Sequence, residues 1–153
     1  MKLDQIDRNI LHHLQHNARI TNAELAEKVG LSPTPCLRRL RRLETEGIIK
    51  GYRTEVNREA VGLPVTVVIL VKLEKEDEAS LREFEETVKA RPEIIECLLV
   101  TGKFDYYLKA VLPTLGSYEN FLSDSLLRTE NVLNIESSFM LREVSKRPAL
   151  PQV

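Results

Sequence analysis

A chain of 153 residues, 42% apolar and 29% charged, is long enough for one medium domain or two small ones with real hydrophobic cores. It holds no apolar run near the length of a bilayer span, and its N-terminus, MKLDQIDRN, carries acids where a secretory signal is apolar, so a cytoplasmic protein with no membrane partner is expected. The net charge of −1 conceals a division: residues 1–53 hold ten Lys/Arg against six Asp/Glu, while 54–153 hold twelve against seventeen, which predicts an anionic partner for the front part only.

Leu3, Ile6, Ile10 and Leu14, widened by Leu11, recur at helical spacing and predict a first helix. Asn17–Ile20 breaks the stripe. Thr21 and Glu24 then form a capping-box pattern that opens a short second helix with Leu25, Ala26 and Val29 inside. Gly30 ends it, because glycine tolerates a left-handed turn. Ser32 is placed to cap a third helix, Pro33 takes its first position and Gly47 stops it. Within that helix the run PCLRRLRRL sets Leu37, Leu40 and Leu43 opposite Arg38, Arg39, Arg41 and Arg42 on the wheel. The leucines are expected inside and the arginines outside. Ile48–Val56, which carries Lys50 and Arg53, reads as a strand, a glycine turn and a second strand, and 57–64 reads as a linker.

The remainder alternates. Val65–Leu73 is a β-branched strand, Glu78–Arg91 a helix with Leu81, Phe84 and Val88 on one face, and Ile94–Thr101 a strand. A turn over Gly102–Asp105 leads into the strand Tyr106–Val111. Leu115, Tyr118, Phe121, Leu122 and Leu126 mark another helix, and Val132–Val144 the last strand. The predicted class is α+β: an N-terminal winged helix-turn-helix over 1–56, the linker, and a C-terminal ferredoxin-like βαββαβ domain over 65–153. The strands are apolar at both odd and even positions, so both sheet faces require cover. Two helices cover one face, and a second copy of the chain is the economical cover for the other.

A short helix, a glycine turn and a helix with basic outer residues match a helix-turn-helix whose second member enters the major groove of duplex DNA. Arginine can pair guanine edges or grip phosphates. His12 and His16 share a helix face, but two imidazoles without a third ligand predict a polar face and no metal site. Cys36 and Cys97 form no CxxC pattern and are expected as reduced thiols. No P-loop, GxSxG, HExxH or GxGxxG is present, so neither catalysis nor a cofactor is predicted. The turn Gly102-Lys103-Phe104-Asp105 reads first as a hairpin connection. Its second reading is a pocket, with backbone amides for a carboxylate and Asp105 for an ammonium group, a combination suited to a free amino acid. An enzyme or metabolite-binding protein on the ferredoxin-like half would leave the basic front without a purpose. An RNA-binding sheet would expose aromatic residues for base stacking, which these strands lack except at Tyr106, Tyr107 and Phe139.

The segments LDQIDRNIL, ARITNAELAEKVGLSPTPCLRRLRRLE and GIIKGY, and beyond them VTGKFDYYLKA, LLRTENV and SSFMLREV, resemble the Lrp/AsnC family of transcription regulators over nearly the whole chain. The resemblance implies a DNA-binding domain joined to an amino-acid effector domain, with leucine or another apolar amino acid as effector. It also implies dimers formed through the sheets and assembled into octamers or larger rings. It places Ser32, Thr34, Arg38, Arg39 and Arg42 on the recognition helix, with Arg41 beside them and Thr21 at the start of the preceding helix. It places Thr101, Gly102, Lys103, Phe104, Asp105 and Tyr106 on the effector loop, and Ser137 near the ligand.

Overall fold

The computed structural model describes residues 2–147 and 149–151. The chain forms two compact units, Met1–Glu55 joined by Val144–Val153, and Val56–Glu143. The C-terminal tail therefore belongs with the first unit, and the second ends ten residues before the expected 153.

In the first unit α1 spans Gln5–His16, α2 Asn22–Lys28 and α3 Pro33–Thr45. The first two begin where side chains satisfy orphan amides. Asp4 accepts from the Asp7 amide while Asp7 accepts from the Asp4 amide, and Thr21 and Glu24 repeat that exchange at α2. Ser32 takes the N-cap position of α3 but makes no capping bond, so Pro33, which lacks an amide to satisfy, starts the helix. Gly30 turns the chain between α2 and α3 at φ 69°. Ile10, Leu25, Ala26, Cys36 and Leu43 are at most 1% exposed and form the core. Cys36 takes the inward place expected of Leu37, which stays half-buried at the edge of the helix face. Burial raises the Cys36 thiol pKa, and both cysteines are free.

The expected strand pair over Ile48–Val56 does not form; the segment is bend and coil. Ile48, Tyr52 and Val56 are largely exposed and supply no buried face, without which a two-stranded ribbon is marginal. The segment is held instead by the Ile49 amide on the Leu43 carbonyl at 3.0 Å and the Tyr52 hydroxyl on Glu44 at 2.8 Å. Burial, and then that carboxylate, push the Tyr52 phenol up to about 12.

The second unit opens with an ordered turn over the expected linker, closed by Leu63 donating to the Arg58 carbonyl at 2.8 Å. It then runs β1 (Val65–Leu73), α4 (Glu78–Lys89), β2 (Ile94–Leu99), β3 (Tyr106–Leu112), α5 (Gly116–Asp124), a 3-10 turn (Leu126–Arg128) and β4 (Val132–Phe139). The sheet order is β2-β3-β1-β4 with antiparallel neighbours, the ferredoxin-like arrangement. The last strand is shorter than the expected Val132–Val144, because among the described residues no strand pairs with the chain after Met140 donates to Thr66. Val67, Ile69, Val71 and Leu73 of β1 are at most 1% exposed and pack with Phe84, Val88, Phe121 and Leu126. Alternation sends Val68, Leu70 and Lys72 to the other face, in register with Lys109 and Tyr107 of β3 and Ser138, Glu136 and Asn134 of β4.

Candidate functional site

The outward surface of α3 is narrower than the arginine count suggests. Ser32, Thr34, Arg38 and Arg41 are exposed. The Arg39 side chain is only 26% exposed and donates to Asp4 at 2.6 Å and to Asp7 at 2.8 Å, and Arg42 donates to the other Asp7 oxygen at 2.7 Å. The four arginines therefore do not point out together. At about 100° per residue, Arg39 lies only about 40° from the buried Leu43, within reach of a neighbouring helix. Asp7 is 1% exposed, and a buried carboxylate persists only with charged or hydrogen-bonding partners. It is closed on every side: by its own helix start, by Arg39 and by Arg42. The Asp7 amide first, and then Arg39, hold the Asp4 carboxyl below its usual value, while Asp4 and then Asp7 raise the Arg39 pKa.

These acids were not among the residues singled out from the sequence. The signal was there, in Asp4 and Asp7 three positions apart ahead of an apolar stripe, which is a capping spacing. Asn22 completes the helix-turn-helix by donating to the Pro33 carbonyl at 2.9 Å, which ties α2 to the start of α3. Thr21 is occupied as a cap: its hydroxyl accepts from the Glu24 amide and donates to the Glu24 carboxylate. Lys50 and Arg53 are exposed on the segment after α3.

In the second unit Val100–Asp105 closes the β2–β3 hairpin, with the Val100 amide on the Asp105 carbonyl at 2.8 Å. Thr101, Gly102 and Lys103 are exposed, and Gly102 holds φ 125°, a conformation that favours glycine. Asp105 does not offer the open carboxylate that an ammonium group was expected to find. It is 7% exposed, accepts from the Leu73 amide at 2.7 Å and pairs with Lys72 at 2.8 Å. Lys72 also meets Glu76 at 2.6 Å, and its ammonium pKa is raised by Asp105 and then Glu76. As the one charged residue in VTVVILVKL, Lys72 was a visible clue to a polar partner.

Tyr106 belongs to the core and not to the loop surface. It is 1% exposed, its ring lies 4.6 Å from that of Phe84, and its hydroxyl donates to Glu85 at 3.0 Å. Burial, and then Glu85, raise its phenol pKa well above the usual range. Phe104 is buried too, beneath the Lys103 ammonium. Lys103 reaches Glu136 of β4 at 2.6 Å. Ser137, by strand alternation, lies on the opposite, helix-covered face, where its hydroxyl meets that of Tyr118 on α5. A single copy therefore gathers Thr101–Asp105 into one hairpin but does not bring Ser137 to the same side of the sheet.

His16 bonds the His12 carbonyl, and among the described residues no group of three His, Cys, Asp or Glu could hold a metal ion. No helix among the described residues is long and apolar enough to cross a membrane.

Comparison with known proteins follows the same two units. The family described as winged helix-turn-helix DNA-binding matches residues 3–50, and the Lrp/AsnC ligand binding domain matches residues 66–150. The chain is 40% identical over 144 residues to a leucine-responsive regulatory protein of Rhizobium meliloti, covering 94% of this chain and 92% of that one. It is 41% identical to the protein of that name in Escherichia coli K12, covering 94% and 88%. Among solved structures it is similar to a transcriptional regulator of Neisseria meningitidis in complex with L-Met, at a TM-score of 0.93 and 38% identity over 98% of this chain and 97% of that one. An AsnC family transcriptional regulator of Agrobacterium tumefaciens matches at a TM-score of 0.91 and 32% identity, covering 97% of each chain.

Proposed function

Because the chain belongs to the Lrp/AsnC family of DNA-binding transcription regulators with an amino-acid effector domain, we propose that it reads operator DNA through the exposed face of α3 and that a free apolar amino acid adjusts that binding. The observation that carries the first part is that Arg38 and Arg41 are exposed and not engaged by the α1 acids, while Arg39 and the partly exposed Arg42 pair with Asp7. Ser32 and Thr34 add hydroxyl groups at the same helix end, and Lys50 and Arg53 add charge beside it. Phosphate contacts would position the protein, and the two arginines would read base edges. The compartment of this reading is the cytoplasm, where operator DNA lies.

The effector reading rests on the Thr101–Asp105 hairpin, supported by the L-Met complex of the Neisseria meningitidis relative and the leucine-responsive name of others. The exposed amides around Gly102 suit a carboxylate. Asp105 acts through the loop's shape, since its oxygens are already engaged by Leu73 and Lys72. Calorimetry of the purified protein against each of the twenty amino acids is expected to show at least one apolar ligand binding below millimolar. Gly102→Leu, which strains a left-handed glycine position and fills its approach, is expected to lose that binding while DNA affinity in the absence of ligand survives. If no amino acid binds, the effector reading fails; if Gly102→Leu binds as well as wild type, the loop is only a hairpin connection. A coupling of about 1–3 kcal/mol would change operator affinity roughly 5–150-fold.

The open sheet face supports assembly as dimers that join into larger rings. Val68 and Leu70 of β1, Tyr107 of β3 and Leu98 of β2 share the face that no helix covers. Apolar side chains gathered on an uncovered face mark an interaction surface. Leu70→Asp would bury an unpaired carboxylate and is expected to split the oligomer, read as a drop in mass by light scattering. A wild-type protein that is monomeric at micromolar concentration would reject this assembly.

A further inference from the structure

The DNA-binding unit is attached to the rest of the chain twice, at Glu55–Val56 and again at Glu143–Val144, because residues 144–151 return to it. The returning tail is seated by specific contacts. Lys146 meets Glu55 at 2.6 Å, and the Leu150 amide donates to the Gln15 side-chain oxygen at 2.9 Å. Leu150 also lines an apolar groove of about 560 Å³ between α1, which supplies Leu11 and Leu14, and the segment after α3, which supplies Ile48 and Ile49. Lys50 and Arg53 lie on the wall formed by that segment.

The segment needs such support. It has no strand ladder, and the inward bonds of Ile49 and Tyr52 fix only its first half. The tail grips its far end at Glu55 and the facing helix at Gln15, so it spans the groove that separates Lys50 and Arg53 from the helical core. We propose that the tail after Glu143, described over 144–147 and 149–151, forms a C-terminal strap that positions Lys50 and Arg53 to grip phosphates, making the tail a determinant of DNA affinity although it lies about ninety residues from them in the sequence. Ordering a basic coil segment before DNA arrives removes an entropic cost that binding would otherwise carry. The inference rests on the first unit's being the DNA reader.

The test uses the full-length protein. Lys146→Glu places like charges opposite Glu55, and Lys146→Glu with Glu55→Lys restores opposite ones; a chain ending at Glu143 removes the strap altogether. Hydrogen exchange of the 48–56 amides needs no DNA and so tests the strap apart from the DNA reading. Exchange is expected to quicken in Lys146→Glu and in the truncated chain, and to recover in the charge swap. On a duplex that wild type binds, Lys146→Glu is expected to bind about tenfold more weakly, with a salt slope shallower by about 0.9 for each phosphate it no longer neutralises, and the swap to recover both. The truncated chain should show the same weaker, shallower binding with unchanged oligomer mass. Unchanged exchange in Lys146→Glu and the truncated chain overturns the strap. Quickened exchange with wild-type affinity and slope overturns its role in DNA binding, and so does tighter binding by the truncated chain. A wild type that binds no duplex, with exchange behaving as expected, places the failure in the DNA reading and not in the strap.

Discussion

Alanine at both Arg38 and Arg41 is expected to weaken operator binding by about 30-fold at the least. Each bidentate arginine–guanine pair discriminates by about 1–3 kcal/mol, so two together are worth about 2–6 kcal/mol. An arginine that grips phosphate instead would show a different signature, a salt slope shallower by about 0.9 with little change in sequence preference. Both arginines are exposed, so the folded unit should melt as wild type does. Fluorescence anisotropy with labelled duplex, measured at several salt concentrations and on a base-substituted operator, separates the two modes. Wild-type affinity in the double variant would remove the outer face of α3 from the interface.

Asp7→Ala is expected to damage the same function by a different route, through folding. Asp7 is 1% exposed and accepts from the Asp4 amide, Arg39 and Arg42. Breaking a fully buried ion pair costs about 3–5 kcal/mol because the remaining charge has no partner. Here the arginine side chains are 26% and 42% exposed, and water can take over part of their solvation. That lowers the expected ionic loss, while losing the reciprocal capping-box bond from the Asp4 amide adds to it. A loss of about 2–4 kcal/mol would consume much of the stability of so small a unit. Urea unfolding followed by far-UV circular dichroism should shift its midpoint down, and operator binding should fall with the folded fraction. Adding Arg42→Met to Asp7→Ala should cost less than the two separate losses summed, since Arg42 loses its Asp7 carboxylate while Arg39 keeps Asp4. An unshifted unfolding curve in Asp7→Ala would show that the network contributes nothing to stability.

The contrast between these two expectations is invisible on a helical wheel. Arg38 and Arg41 differ from Arg39 and Arg42 because α1 brings Asp4 and Asp7 against one edge of α3, from more than thirty residues away. Residues close together in sequence were readable where local physics decides. Thr21 and Glu24 exchange caps, Gly30 turns, Pro33 opens a helix, and the β-branched apolar run Val65–Leu73 marks a strand; each involves atoms only a few residues apart. The βαββαβ order follows from such signals taken in succession, and it stands as observed.

Neither the ends nor the partners were legible in that way. The pair of short strands expected after α3 had too little buried surface to form, and the tail after β4 joined the DNA-binding unit through Glu55 and Gln15. Asp105 is readable as a carboxylate beside a glycine turn. Only the pairing of β3 with β1 delivers the Leu73 amide and Lys72 that occupy it, and the same pairing draws Tyr106 into the core. The sequence by itself determined the helices and the four sheet strands, though not the extent of the last strand or the ribbon expected after α3, because capping and periodicity act over a few residues while strand pairing needs a buried partner. The tertiary structure alone decided which charges remain free for DNA or ligand, because a charge is neutralised by whatever the fold brings within a few ångströms, however distant in the chain.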